Sequence, residues 1–129
     1  MQPNRVYFGE VVDPDTGKML DRALLIPFRA PRSYTGEDIA ELHCHGSPYL
    51  LRRVLELVCR LGARLAQPGE FTMRAFLNGK IDLAQAEAVA DLIRARSEAQ
   101  LRSALALHTG ALSQKAQSLS DALLSLLAT

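Results

Sequence analysis

Strand-like apolar runs occupy the first part of the chain, and from residue 48 onward apolar residues recur at three- and four-residue spacing, the period of a helix face. Residues 5–12, RVYFGEVV, read as a strand interrupted at Gly9. The turn Asp13-Pro14-Asp15-Thr16-Gly17-Lys18 follows, and MLDRALLIPF reads as the hairpin partner. Pro27 puts the end of that second strand nearby or the strand at a sheet edge. Two strands alone are marginal, and a hairpin beginning at residue 5 has no earlier strand beside it to complete a sheet.

In APRSYTGEDIAELHCHGS, Pro31 and Gly36 mark a loop in which Ser33 or Thr35 can cap a short helical turn through Asp38 and Ile39. Glu41 to His45 then read as a short strand ended by Gly46. Ser47 caps a helix over residues 48–61, with Pro48 at the favoured first position. Leu51, Val54, Leu55, Val58 and Leu61 are its expected core face, and Arg52, Arg53 and Glu56 its exposed one. Gly62 ends the helix, and ARLAQ is expected to return as a strand.

The stretch QPGEFTMRAFLNGKIDLAQAEAVAD, residues 67–91, is the organising segment. Pro68 and Gly69 stop what precedes it, a short apolar run carries Arg74, and the turn Asn78-Gly79-Lys80 leads to a helix with an Asp82/Gln85 capping box. That helix, from about Leu83 to Arg94, has a small-residue face of Ala84, Ala88, Leu92 and Ala95, with bulk from Leu83, Val89 and Ile93. A second box, Ser97 with Gln100, starts a long helix toward Leu127, in which Leu101, Leu105, His108, Leu112, Ala116, Leu119, Leu123 and Leu127 form a stripe and Gly110 a modest break. Such a stripe needs a partner surface, and running to Thr129 without a stop signal the helix reads as cut off.

The composition fits one moderate core, with 129 residues of which 48% are hydrophobic. A net charge of +1, from 15 basic and 14 acidic residues, gives no support to a polybasic nucleic-acid or membrane surface. Two cysteines, Cys44 and Cys59, indicate no disulfide framework and suit a reducing, cytoplasmic setting. There is no apolar leader and no run long enough to span a membrane.

His43, Cys44 and His45 invite a metal reading. In a strand, however, the two histidines share one face and Cys44 takes the other, so a structural or incidental role is expected and no metal site is assigned. No nucleophile–base arrangement stands out, so no catalytic residue is assigned. The pattern GxxxxGK[ST] does not occur, so these residues are not expected to hydrolyse GTP or ATP. Glu41, where a loop enters a strand, has the chemistry to accept two parallel hydrogen bonds from an amino-pyrimidine edge, and Lys80 can attract an anionic tail or ligand carbonyl. A surface carboxylate and a solvated turn lysine are the plain alternative.

SYTGEDIAELHCHG at 33–46 and PGEFTMRAFLNGKIDLAQAEAVADLI at 68–93 resemble the N-terminal region of the tRNA uridine-modifying GTPases called MnmE or TrmE. The resemblance implies an α+β fold: a small mixed sheet with covering helices, similar to the folate-binding domain of the glycine-cleavage aminomethyltransferase, followed by a long helix. It implies a folate-binding, dimerising domain at residues 1–95, lacking its first strand segment, and the start of a central helical domain at 96–129. It further implies 5-formyltetrahydrofolate or a related folate as cofactor, with Glu41 as pterin anchor and Lys80 as a second folate contact. In the intact parent it implies GTP, Mg and K sites outside these residues, a flavin-dependent partner protein and tRNA as substrate.

Two departures stand out: no counterpart of the family's arginine-bearing strand precedes Arg5, and the usual HGG is His45-Gly46-Ser47 here. Serine is tolerable at 47 as a helix cap but strained if the position demands positive φ. Two other readings remain open, a non-catalytic oligomerisation module and a stand-alone folate-dependent one-carbon transferase. The latter would need an acid or base aimed at the transferred carbon.

Overall fold

The computed structural model describes residues 2–127. They divide between Glu70 and Phe71 into two compact units. The first unit holds three strands, β1 (Tyr7–Val12), β2 (Met19–Phe28) and β3 (Ile39–His43), and helix α1 (Pro48–Arg60). The strands form one antiparallel sheet in the order β1-β2-β3. β3 thus supplies the third strand that the hairpin needs, and the class is α+β as expected.

The hairpin closes on a buried acid. Asp13 N donates to Lys18 O, Gly17 N donates back to Asp13 O, and Gly17 takes φ +68, the left-handed region that glycine enters without steric cost. The Asp13 carboxylate is buried and accepts from Arg60 Nη2 at 2.8 Å, so the last turn of α1 is tied to the β1–β2 turn. That guanidinium holds the Asp13 pKa below its ordinary value despite burial.

Ala23 on β2 and Val54 and Leu57 on α1 form the apolar centre of this unit, with α1 packed on β2. The expected α1 stripe is only partly realised: Val54 is buried, whereas Leu51, Leu55, Val58 and Leu61 are exposed. A three-stranded sheet offers one helix a narrow seat, and Leu57 takes the place expected of its neighbours. Gly62, at φ +109, ends α1 as anticipated, with Ala63 N donating back to Val58 O.

Residues 63–67 are not a strand. Glu70 is buried, and its carboxylate receives Arg64 Nη1 at 2.8 Å, Nη2 at 2.6 Å and the Gln67 amide at 2.8 Å. This fork gathers the segment into a loop around the carboxylate. The expected helical turn near residue 35 is also replaced by bends: Ser33 Oγ donates to Glu37 O, and Thr35 Oγ1 accepts from Glu37 N.

The second unit is helical, comprising α2 (Glu70–Leu77, whose first residue belongs to the first unit), α3 (Leu83–Arg94), α4 (Glu98–His108) and α5 (Ala111–Leu127). The apolar run before the Asn78 turn is helix α2, and the turn is its glycine stop, with Gly79 at φ +66 and Lys80 N donating to Ala75 O at 2.8 Å. The Asp82/Gln85 capping box of α3 is present in both directions. Ala88 and Ala104 are buried where α3 and α4 pack, but Leu83 and Ile93 are exposed rather than core.

The tail is broken at Thr109-Gly110, where Gly110 is buried at φ +84 and a Cβ would meet Gln85 Nε2 at 3.4 Å. Gln85 Nε2 also donates to His108 O, while His108 Nδ1 is buried without a hydrogen-bond partner among the described residues. No described residue of α5 is buried, so its leucine stripe lies uncovered. The expected run to Thr129 falls on residues 128 and 129, outside those described.

Ser47 adopts φ −79 and accepts from Leu50 N at 3.4 Å, so the position is an ordinary N-cap and does not need glycine. Replacing it with alanine is expected to cost about 0.5–1 kcal/mol and with glycine only a few tenths. Urea unfolding of the three proteins measures the difference.

Candidate functional site

The connection from β3 to α1 is held by a buried acid that the sequence reading did not single out. Asp21, on β2, is 8% exposed. Its carboxylate accepts from the Arg22 amide at 2.8 Å, the His45 amide at 2.9 Å and His45 Nδ1–H at 2.7 Å. Hydrogen bonds from the His45 amide and ring hold the Asp21 pKa below its ordinary value, against the opposing effect of burial. His45 therefore leaves the strand line and turns to Asp21, so the expectation that His43 and His45 share one strand face is not met. The available signal was weak: an acid in the otherwise apolar run MLDRALLIPF, needing donors if buried.

The entry to β3 is pinned as well. Asp38 accepts from the Ala30 amide at 2.9 Å and pairs with Arg29, which fastens the two ends of the 30–38 loop together. Both bonds hold its carboxylate below the ordinary range. β3 is thus fixed by Asp38 where it begins and by Asp21 just beyond its end.

Glu41 lies between these anchors, opposite Ile26 of β2. Its side chain is about half exposed (52%), and Oε2 accepts from His43 Nε2–H at 3.0 Å. The register aligns His43 with Leu24 and Leu24 with Phe8, so these three share one sheet face. Arg22 stands over the Phe8 ring, 5.4 Å from its centroid, and pairs with Glu10 at 3.7 Å. A shallow depression of about 340 Å³ is lined by Phe8, Arg22, Leu24, His43, Cys44 and His45. Burial pushes the Cys44 thiol pKa up, and the Asp21 charge adds to it, so Cys44 is no activated thiolate at neutral pH. Among the described residues no group of three or more His, Cys, Asp or Glu side chains is arranged to hold a metal ion.

Lys80 belongs to the second unit, where it follows the glycine stop of α2 and precedes the α3 cap; its side chain is exposed. Asp82, two residues on, is held ionised chiefly by Ser113 Oγ–H and by the Gln85 amide. The turn that carries Lys80 is thereby fixed on both sides. No helix among the described residues is long and apolar enough to cross a membrane.

Comparison with known families matches residues 1–80 to the family described as GTP-binding protein TrmE N-terminus. Among curated proteins, the chain is 56% identical over 128 residues to the tRNA modification GTPase MnmE of Thermus thermophilus, covering 99% of this chain and 30% of that protein. It is 53% identical over 128 residues to the protein of the same name from Aquifex aeolicus, covering 99% and 28% respectively. With that of Synechococcus elongatus it shares 50% over 127 residues, 98% of this chain and 28% of the relative. The chain thus spans under a third of the length of these relatives.

Folding lowers the Asp21 pKa from 3.8, so the folded state binds fewer protons than the unfolded state as this group titrates. Its contribution to stability is complete above pH 3.8 and is lost as the pH falls through the folded value. Asp21→Asn is expected to be less stable at neutral pH and to lose less of its remaining stability on acidification. Denaturant midpoints measured at several pH values between neutrality and strong acid, followed by far-ultraviolet circular dichroism, give the comparison.

Proposed function

The chain belongs to the TrmE N-terminus family, and on that premise we propose that it is the folate-binding and self-associating portion of a larger tRNA-modifying GTPase. The observation that carries this reading is the family match over residues 1–80, which spans both Glu41 and Lys80. The relatives' name, tRNA modification GTPase, supplies the wider process. The ligand is a 5-formyltetrahydrofolate-type folate, and the modification falls on carbon 5 of the wobble uridine in a cytoplasmic reaction shared with a flavin-dependent partner protein.

The chemistry of Glu41 supports this assignment. An ionised carboxylate offers only acceptors, and an amino-pyrimidine edge offers two adjacent donors. One Glu41 oxygen accepts from His43 in a single bond and retains further acceptor capacity, and half-exposure leaves the group accessible. Lys80 would add one flexible cationic contact to an anionic or carbonyl-bearing part of the ligand. These residues hold and orient the ligand; none of them is assigned a proton-transfer step. GTP hydrolysis, with its Mg and K ions, belongs to parts of the larger protein beyond these residues, because the sequence contains no GxxxxGK[ST] phosphate loop.

Self-association is supported by uncovered apolar surface. Leu112, Leu119, Leu123 and Leu127 on α5 are all more than half exposed, as is Leu61 at the end of α1. Sedimentation at micromolar concentration is expected to show dimers or larger species, and a purely monomeric profile would contradict this part of the reading.

For folate, calorimetric titration of 5-formyltetrahydrofolate into the intact protein is the test. Glu41→Gln is expected to weaken binding about tenfold to a hundredfold, from loss or misalignment of a charge-assisted bond of about 1–3 kcal/mol. Lys80→Gln is expected to weaken it about fivefold, as for one solvent-screened contact. Unchanged affinity in a correctly folded Glu41→Gln protein rejects Glu41 as the anchor.

A further inference from the structure

We infer that His43 is a positioning residue for the Glu41 carboxylate, and this rests on the proposed folate reading of Glu41. Residues two apart on a strand project from the same face, and here they are joined directly: His43 Nε2–H donates to Glu41 Oε2 at 3.0 Å. Both side chains are about half exposed, so neither is held by burial. A free glutamate side chain at such a site samples several rotamers, and restricting them before the ligand arrives reduces the entropy lost on binding.

His43 is suited to that task because its own place is set. It lies opposite Leu24 in the β2–β3 register, and Leu24 in turn lies opposite Phe8. On the same face Arg22 is engaged with Glu10 and the Phe8 ring, and His45 is turned away to Asp21. His43 is thus the side chain that donates to Glu41. A carboxylate has about four lone-pair sites, so a single bond from His43 leaves acceptor capacity on both oxygens. The ligand does not have to displace the imidazole.

This geometry separates what the donor does from what the ring does. Glutamine at position 43 can reach back with an amide N–H, whereas leucine fills space but donates nothing. Calorimetric titration of 5-formyltetrahydrofolate into the intact protein is therefore run with His43→Leu, His43→Gln, Glu41→Gln and the double variant His43→Leu/Glu41→Gln. Thermal melts of each protein report folding independently.

His43→Leu is expected to weaken binding about threefold to tenfold with little change in melting temperature, and His43→Gln to restore affinity to within about twofold. In the Glu41→Gln background, His43→Leu is expected to add nearly nothing, because the two residues act through one carboxylate. If Glu41→Gln weakens binding while His43→Leu leaves it equal or makes it tighter, the positioning role is wrong and the folate reading stands. Equal losses in both backgrounds would also overturn the role, since they place the effect of His43 outside Glu41. If Glu41→Gln itself has no effect, the folate reading fails and the positioning role fails with it.

Discussion

A carboxylate removed from water has to be met by donors, and Asp21 is the clearest case in the first unit. Left unpaired it would be a heavily destabilising group near the start of the central strand β2. Three hydrogen bonds meet it, two of them from His45, which lies in the link between β3 and α1. Satisfying one acid therefore decides where β3 ends, which way the chain turns at Gly46, and where Ser47 can begin capping α1. Asp13 repeats the pattern at the far end of α1 through Arg60. The helix is held against a small sheet by an acid near each end, with a modest apolar contact between.

That division explains what the sequence revealed and what it concealed. Local signals were legible because their causes are local: Asp13-Pro14-Asp15-Thr16-Gly17 for the hairpin turn, Ser47-Pro48 for the start of α1, and Asp82 with Gln85 for α3. Gly62 and Gly79 likewise stand where positive φ ends a helix. Contacts distant in sequence were not legible. Nothing near Asp21 marks His45 as its partner, 24 residues away. The ARLAQ segment has strand-like alternation, but Glu70 draws Arg64 and the Gln67 amide inward and overrides it. Helix α2 was obscured by its shortness, although Glu70 in its first turn and Gly79 at its end are ordinary helix signals.

The candidate site shows the same split. The roles proposed for Glu41 and Lys80 rest on motif resemblance, and each sits on well-braced backbone within its own unit: Glu41 on a strand anchored by Asp38 and Asp21, Lys80 between the α2 stop and the α3 cap. The contact of Glu41 with His43 is not legible in the sequence, because strand alternation puts the two on one face without marking them as partners. Of the core face expected on α1 only Val54 is buried, and the stripe expected on one long terminal helix is divided between α4 and α5 at Gly110. The exposure of both in the described chain reflects the small area that three strands and five helices offer for burial.

The dependence of this arrangement on Asp21 is open to a direct measurement, hydrogen exchange at the His45 amide. That N–H lies beyond the last strand residue, and its partner is the Asp21 carboxylate at 2.9 Å. The account predicts exchange at neutral pH as slow as that of the hydrogen-bonded amides of β3, with protection at His45 and along β3 falling together in Asp21→Asn. Exchange of the His45 amide at the rate of an unstructured loop, or β3 protection unaltered in Asp21→Asn, would contradict it.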